Sequence, residues 1–115
     1  MTTGPQAAPN QMPSAEVVQL GALVQYQPGA VVSRTLIKRG TGTVTAFAFD
    51  AGQGLSEHTA AFDALVQIIE GQAEITIAGK PFQLEASEAI LLPANQPHAV
   101  AAVTPFKMLL TMIRA

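Results

Sequence analysis

Gly54-Leu55-Ser56-Glu57-His58-Thr59-Ala60 and Pro93-Ala94-Asn95-Gln96-Pro97-His98 contain both histidines of the chain. Between them runs Leu65-Val66-Gln67-Ile68-Ile69-Glu70-Gly71, an apolar, β-rich stretch closed by a glycine. Outward from this centre, turn signals recur at short intervals. They are Pro28-Gly29, Gly40-Thr41-Gly42, Asp50-Ala51-Gly52, Glu70-Gly71, Ala78-Gly79-Lys80-Pro81 and Pro93-Ala94-Asn95. The runs between them are rich in Val, Ile, Thr and Phe, which predicts strands over 31–38, 43–49, 65–70, 73–78, 88–92, 98–102 and 106–113. Many short strands at this spacing predict an all-β sandwich or barrel. A sustained helical period is absent, and only 17–23 carries a trace of one.

Ala78-Gly79-Lys80-Pro81 reads as a hairpin end, because Gly79 is free to take φ > 0. Tight turns make sequential strands antiparallel neighbours. Side chains alternate along a strand, so Phe106, Met108, Leu110 and Met112 form one stripe and Lys107, Leu109, Thr111 and Ile113 the other. The second stripe is also largely apolar, which predicts a strand covered on both faces.

The 115 residues suit one domain, with a flexible tail over 1–15 and the folded unit over 16–115. The tail is built from Thr, Gly, Pro, Gln, Ala and Asn and has little to bury. Hydrophobic residues make up 49% and charged residues 12%. The charged share is about half the usual one, so part of the exterior is expected to be covered, most simply by self-association. A net charge of −2 with no basic run excludes an extended nucleic-acid footprint. Arg34, Lys38 and Arg39 read as charges guarding a strand edge. Zero cysteines exclude disulfides, thiolate metal sites and a thiol nucleophile. No signal peptide is visible and no apolar stretch approaches the ~20 residues that cross a bilayer, so the expected location is cytoplasmic, away from membranes. The serines lack a His/Asp partner pattern, and Gly40-Thr41-Gly42 is too short for a phosphate loop.

The two histidine segments resemble the paired motifs of the cupin superfamily over roughly residues 30–113. In the first motif His58 matches the leading histidine, Gly52 or Gly54 the opening glycine and Gly71 the closing one. The second histidine falls on Ala60 and the glutamate on Ala64. In the second motif Ser87 stands for the first glycine, Pro93 follows at the family's interval, and His98 matches the ligand histidine. Asn95 replaces a glycine, a mild change because Asn tolerates the left-handed region. Ala102 stands where the family has asparagine. The resemblance implies a single-domain antiparallel β-barrel of jelly-roll type, similar to RmlC-like barrels and forming a homodimer, for which 31–38 is the candidate interface strand.

The family's metal is held by three histidines with a glutamate or a further histidine, so two ligand positions here are alanine. His58 and His98 are the candidate metal ligands, and the cofactor expectation is none or a single divalent metal ion. Residues 58, 60 and 64 share a parity, so in a regular strand their side chains point into the same cavity, and His98 faces the same interior from a neighbouring strand. Glu57 and Asp63 are one residue out of phase and reach inward only through a bulge. Imidazole suits Zn, Fe, Ni or Cu, but two histidines enforce neither geometry nor charge neutrality.

These features point to a barrel that binds a small organic ligand and keeps a degenerate metal site. Its pocket is expected to hold His58, His98, Ala60, Ala64, Val66, Ile68, Met108 and Leu110, with Gln67 outside it. Phe47, Phe49, Phe62, Met108 and Met112 fit either that pocket or the core. A metal-dependent enzyme of oxygenase or isomerase type is the alternative, since a fold fixes neither substrate nor reaction. A third is a structural barrel with a vestigial cavity, its histidines being hydrogen-bonded core residues.

Overall fold

The computed structural model describes residues 11–114. After a short 3-10 turn at Leu20–Ala22 come nine strands. They are β1 Val31–Arg39, β2 Gly42–Phe49, β3 Gly54–His58, β4 Asp63–Glu70, β5 Gln72–Ile77, β6 Lys80–Glu85, β7 Ala89–Leu92, β8 His98–Ala102 and β9 Phe106–Ile113. All pairings are antiparallel, in a five-stranded sheet ordered β1-β2-β9-β4-β7 and a four-stranded sheet ordered β3-β8-β5-β6. The all-β jelly-roll expectation matches this architecture.

Two strands go beyond those expected. β6 alternates Phe82 and Leu84 inward with charged and polar residues outward, and as an edge strand it tolerates Pro81. β3 is short, lies at the other edge and contains no β-branched residue. The β5–β6 hairpin closes as expected through Ala78 (φ 50°) and Gly79 (φ 83°), both in the left-handed region.

The core lies between the inner faces of the two sheets. Phe49, Val66, Ile75, Phe106 and Met108 are fully buried there, and the Phe49 and Phe106 rings stack with centroids 4.5 Å apart. β4 shows why the register is unique: Ala64, Val66 and Ile68 are buried while Leu65 and Gln67 are exposed. A one-residue slip would turn this apolar set to solvent. Gly71 (φ 80°) links β4 in one sheet to β5 in the other, and a Cβ there would collide with the Pro105 carbonyl and Phe106.

A second apolar cluster covers part of the outer face of the five-stranded sheet. Leu23 and Val24 pack with Leu36, Ala46 and Ala48, joined by Met12, Val18, Tyr26 and Leu109. The chain's own N-terminal segment thus supplies part of the cover that the low charge content implied. Of the tail expected over 1–15, residues 1–10 lie outside the described residues. Farther along, Met12 N–H donates to the Leu36 carbonyl and Arg34 donates to the Gln11 carbonyl.

Lys107 anchors this segment from the otherwise apolar outer stripe of β9. Its ammonium is buried, donates to the Gly21 carbonyl (2.6 Å), lies 3.7 Å from a Glu70 oxygen and sits 4.7 Å from the Tyr26 ring centroid. Tyr26 Oη donates to the other Glu70 oxygen at 2.8 Å. Burial first, then this bond and the Glu70 charge, raise the phenol's pKa above its ordinary value. Lys107→Ala would leave the Gly21 carbonyl and Glu70 without their cation. It is expected to cost about 2 kcal/mol, read as a lower urea midpoint at unchanged slope.

Candidate functional site

β3 and β8 pair so that His58 lies directly across from His98. One extra residue between Leu55 and His58 shifts the register. Leu55 pairs with Val100 and His58 with His98, so this bulge turns two residues of opposite parity toward the same interior. It delivers His58 rather than Glu57, which stays exposed.

The single-strand premise behind the parity of 58, 60 and 64 fails. β3 ends at His58 in one sheet, the chain crosses over residues 59–62, and β4 starts at Asp63 in the other. Ala60 is placed instead by its crossing segment, whose carbonyl accepts from Asn95 N–H at 2.7 Å. Asn95 adopts φ 64°, the left-handed conformation its side chain tolerates, and Ser87 also takes a positive φ of 71°. Asp63 does not turn inward. Its carboxylate accepts from Ala94 N–H at 2.9 Å and secures the 93–97 loop.

The cavity between the sheets is lined by His58, Ala60, Ala64, Val66, His98, Met108 and Leu110, and also by Leu55, Leu92, Val100 and Met112. Ile68 is not on this lining. It pairs with Met108 one row deeper and is buried in the core. Gln67 is exposed, Phe47 and Phe49 belong to the core, and Phe62 lies under the Arg114 guanidinium at 5.3 Å. Leu92 and Val100 were legible only as residues of expected strands, and Leu55 lay outside every expected strand, because their cavity role depends on sheet packing. The volume is about 40 Å³. A drug-sized ligand needs a pocket of roughly 300 Å³ or more, so the space suits a few heavy atoms.

The two imidazoles meet edge to face, with Nε2 atoms 3.1 Å apart. His58 Nδ1 lies 2.9 Å from the Ser56 carbonyl and His98 Nδ1 3.2 Å from the Gln96 carbonyl. A carbonyl only accepts, so an Nδ1 that bonds one carries a proton, and the Nε2 contact is a hydrogen bond when one ring also carries a proton there. Two lone pairs at this distance repel unless a proton or another electrophile lies between them. With one such proton the two rings are each other's polar partner at the cavity wall.

As a metal site it is short of ligands. The Nε2 separation suits two nitrogens on one ion, yet among the described residues no group of three His, Cys, Asp or Glu converges. Catalytic zinc sites use three protein ligands and structural ones four. The residues present do not fit the family's metal.

Among the described residues no helix is long and apolar enough to cross a membrane.

Burial and the neighbouring His58 lower the pKa of the buried His98 below the ordinary 6.5, against the raising effect of the Gln96 carbonyl. A histidine with a depressed folded-state value contributes stability above the unfolded value, and that contribution is lost as pH falls through the folded one. The thermal midpoint is expected to fall between about pH 7 and pH 5, and to fall less steeply in His98→Gln.

A family profile described as "Cupin domain" matches residues 47–113. A conserved protein of unknown function from Streptococcus pyogenes is similar in structure at TM-score 0.90, with 34% identity over 97% of this chain and 98% of that one. A cupin superfamily protein from Desulfitobacterium hafniense follows at TM-score 0.86 and 27% identity, covering 91% and 96%. A Cupin 2 conserved barrel domain protein from Leptotrichia buccalis is 39% identical over 82% of this chain and 46% of its own, at TM-score 0.79. No functionally curated protein matches the sequence. With a profile spanning more than half its length and its two histidines paired on neighbouring strands of one sheet, the chain is a member of the cupin family.

Proposed function

We propose that this cupin is a small-molecule-binding barrel with a degenerate metal site, without catalytic activity of its own, and that it works as a homodimer. The observation that carries the ligand reading is the pair of converging Nε2 atoms in an otherwise apolar cavity. Few polar groups on a mainly apolar wall is the pattern by which pockets fix a ligand's orientation.

The ligand is a molecule of a few heavy atoms with one hydrogen-bond donor. The donor reaches the Nε2 edge of the histidine pair from the cavity side, and the apolar body rests on Val66, Leu92, Met108 and Leu110. Ala60 and Ala64 leave room where larger side chains would fill the cavity. Met108 and Met112 are flexible enough to widen it by changing rotamer.

The rival reading, a metal-dependent oxygenase or isomerase, draws on the Nε2 separation that suits one ion. It requires ligands beyond the two histidines. Elemental analysis of purified, untagged protein before and after chelator dialysis separates the two: near-stoichiometric metal would favour the enzyme.

The ligand reading is tested by calorimetric titration with short-chain alcohols, phenol and related small donors. Wild-type protein is expected to bind at least one member. Ala60→Phe, which fills the cavity, and His98→Ala are each expected to weaken that binding at least tenfold, about 1.4 kcal/mol. Both variants should keep the native far-UV circular dichroism. Binding that survives both substitutions would sink this reading.

A further inference from the structure

A buried polar side-chain atom nearly always has a hydrogen-bond partner, because an unmet one keeps the full cost of leaving water. Among the described residues one such atom has none: the hydroxyl oxygen of Thr43, Oγ1. Strand alternation tells where it stands. On β2, Ala46 and Ala48 belong to the outer cluster and Phe47 and Phe49 to the core, so Thr43 stands on the inner face.

The register then ties Thr43 to the cavity. Thr43 pairs with Met112, Met112 with Ala64 and Ala64 with Leu92, one row across β2, β9, β4 and β7. Met112, Ala64 and Leu92 all line the cavity. Thr43 continues their row on the same face, one strand spacing of about 4.8 Å beyond Met112 and just outside the lining. The two strands are held close there, since a Cβ at neighbouring Gly42 would collide with the Met112 carbonyl. Met112 itself is half-buried, and its unbranched thioether changes rotamer readily.

We propose that Thr43 is a specificity-determining residue of this cavity, its hydroxyl donating to an acceptor on the ligand. Met112 is the partition: when its side chain swings aside, the cavity extends to Thr43 Oγ1. The inference rests on the ligand reading above and narrows it to a class, small neutral hydroxycarbonyl compounds. Their hydroxyl meets the histidine pair and their carbonyl meets Thr43. A simple alcohol leaves the Thr43 proton unmet. A carboxylate would meet it, but no lysine or arginine lines the cavity to offset the burial of its charge. The empty protein therefore carries an unmet hydroxyl at a cost in stability, as groups kept for a ligand do.

This makes two measurements informative. In thermal unfolding of the ligand-free protein, Thr43→Val keeps nearly the same shape without the hydroxyl. It is expected to raise the midpoint by about 4 °C. A lowered midpoint would mean that the hydroxyl is bonded within the fold, and would overturn the inference. Calorimetric titration then compares hydroxyacetone and its two next longer homologues with the alkenols in which a methylene group replaces the carbonyl oxygen. The wild-type protein is expected to bind at least one hydroxyketone about fivefold more tightly than its matched alkenol. Thr43→Val should bind the two equally, and Thr43→Ser should restore the preference. Equal binding in the wild type, or a preference that survives Thr43→Val, would overturn the role of Thr43 and leave the ligand reading standing. No binding of either series would overturn both.

Discussion

Strand β9 is buried or half-buried along its whole length until Ile113, and this constraint organises the molecule. Its inner stripe of Phe106, Met108, Leu110 and Met112 runs from the stacked core to the wall of the cavity. Its outer stripe starts at Lys107 and continues through Leu109 under the N-terminal segment. A central strand that shows water neither face must be paired on both edges and packed on both sides. β2 and β4 supply the edges, the four-stranded sheet one side, and residues 11–26 part of the other.

Lys107 is the exception that gives this arrangement direction. A buried ammonium is costly unless its hydrogen bonds are met, and here they are met by a backbone carbonyl, a carboxylate and an aromatic face. All three partners lie on or beside the path of the covering segment. The charge therefore specifies where that segment packs, while the apolar contacts around it supply most of the area.

The same economy governs the cavity. Two alanines and a ring of aliphatic side chains leave a small space, and only two polar side chains enter it. Those two are held in one tautomer by backbone carbonyls at their far nitrogens. Their near nitrogens point at each other because a bulge put both on one face of one sheet.

Much of this was legible beforehand, and the losses have specific causes. Alternation exposed the two faces of β9 and placed Gln67 outward of Val66, because the pleat makes a strict period of two. Turn residues marked the hairpin at Ala78-Gly79, where left-handed backbone is required. The resemblance to cupins paired His58 with His98, and both line one cavity with Ala60 and Ala64, but the common parity of 58, 60 and 64 is not the reason. Bulges and sheet crossings break such a rule, and neither leaves a composition signal. Ile68 was misplaced for a related reason: sharing a face with Val66 says nothing of depth along it. The sequence by itself determined the all-β class, because it follows from local periodicity and turn chemistry, while the pairing of the histidines was implied by the resemblance to cupins. Only tertiary structure decided the size of the cavity, the inward turn of His58 and the half-covered outer face, because each depends on how one sheet packs against what faces it.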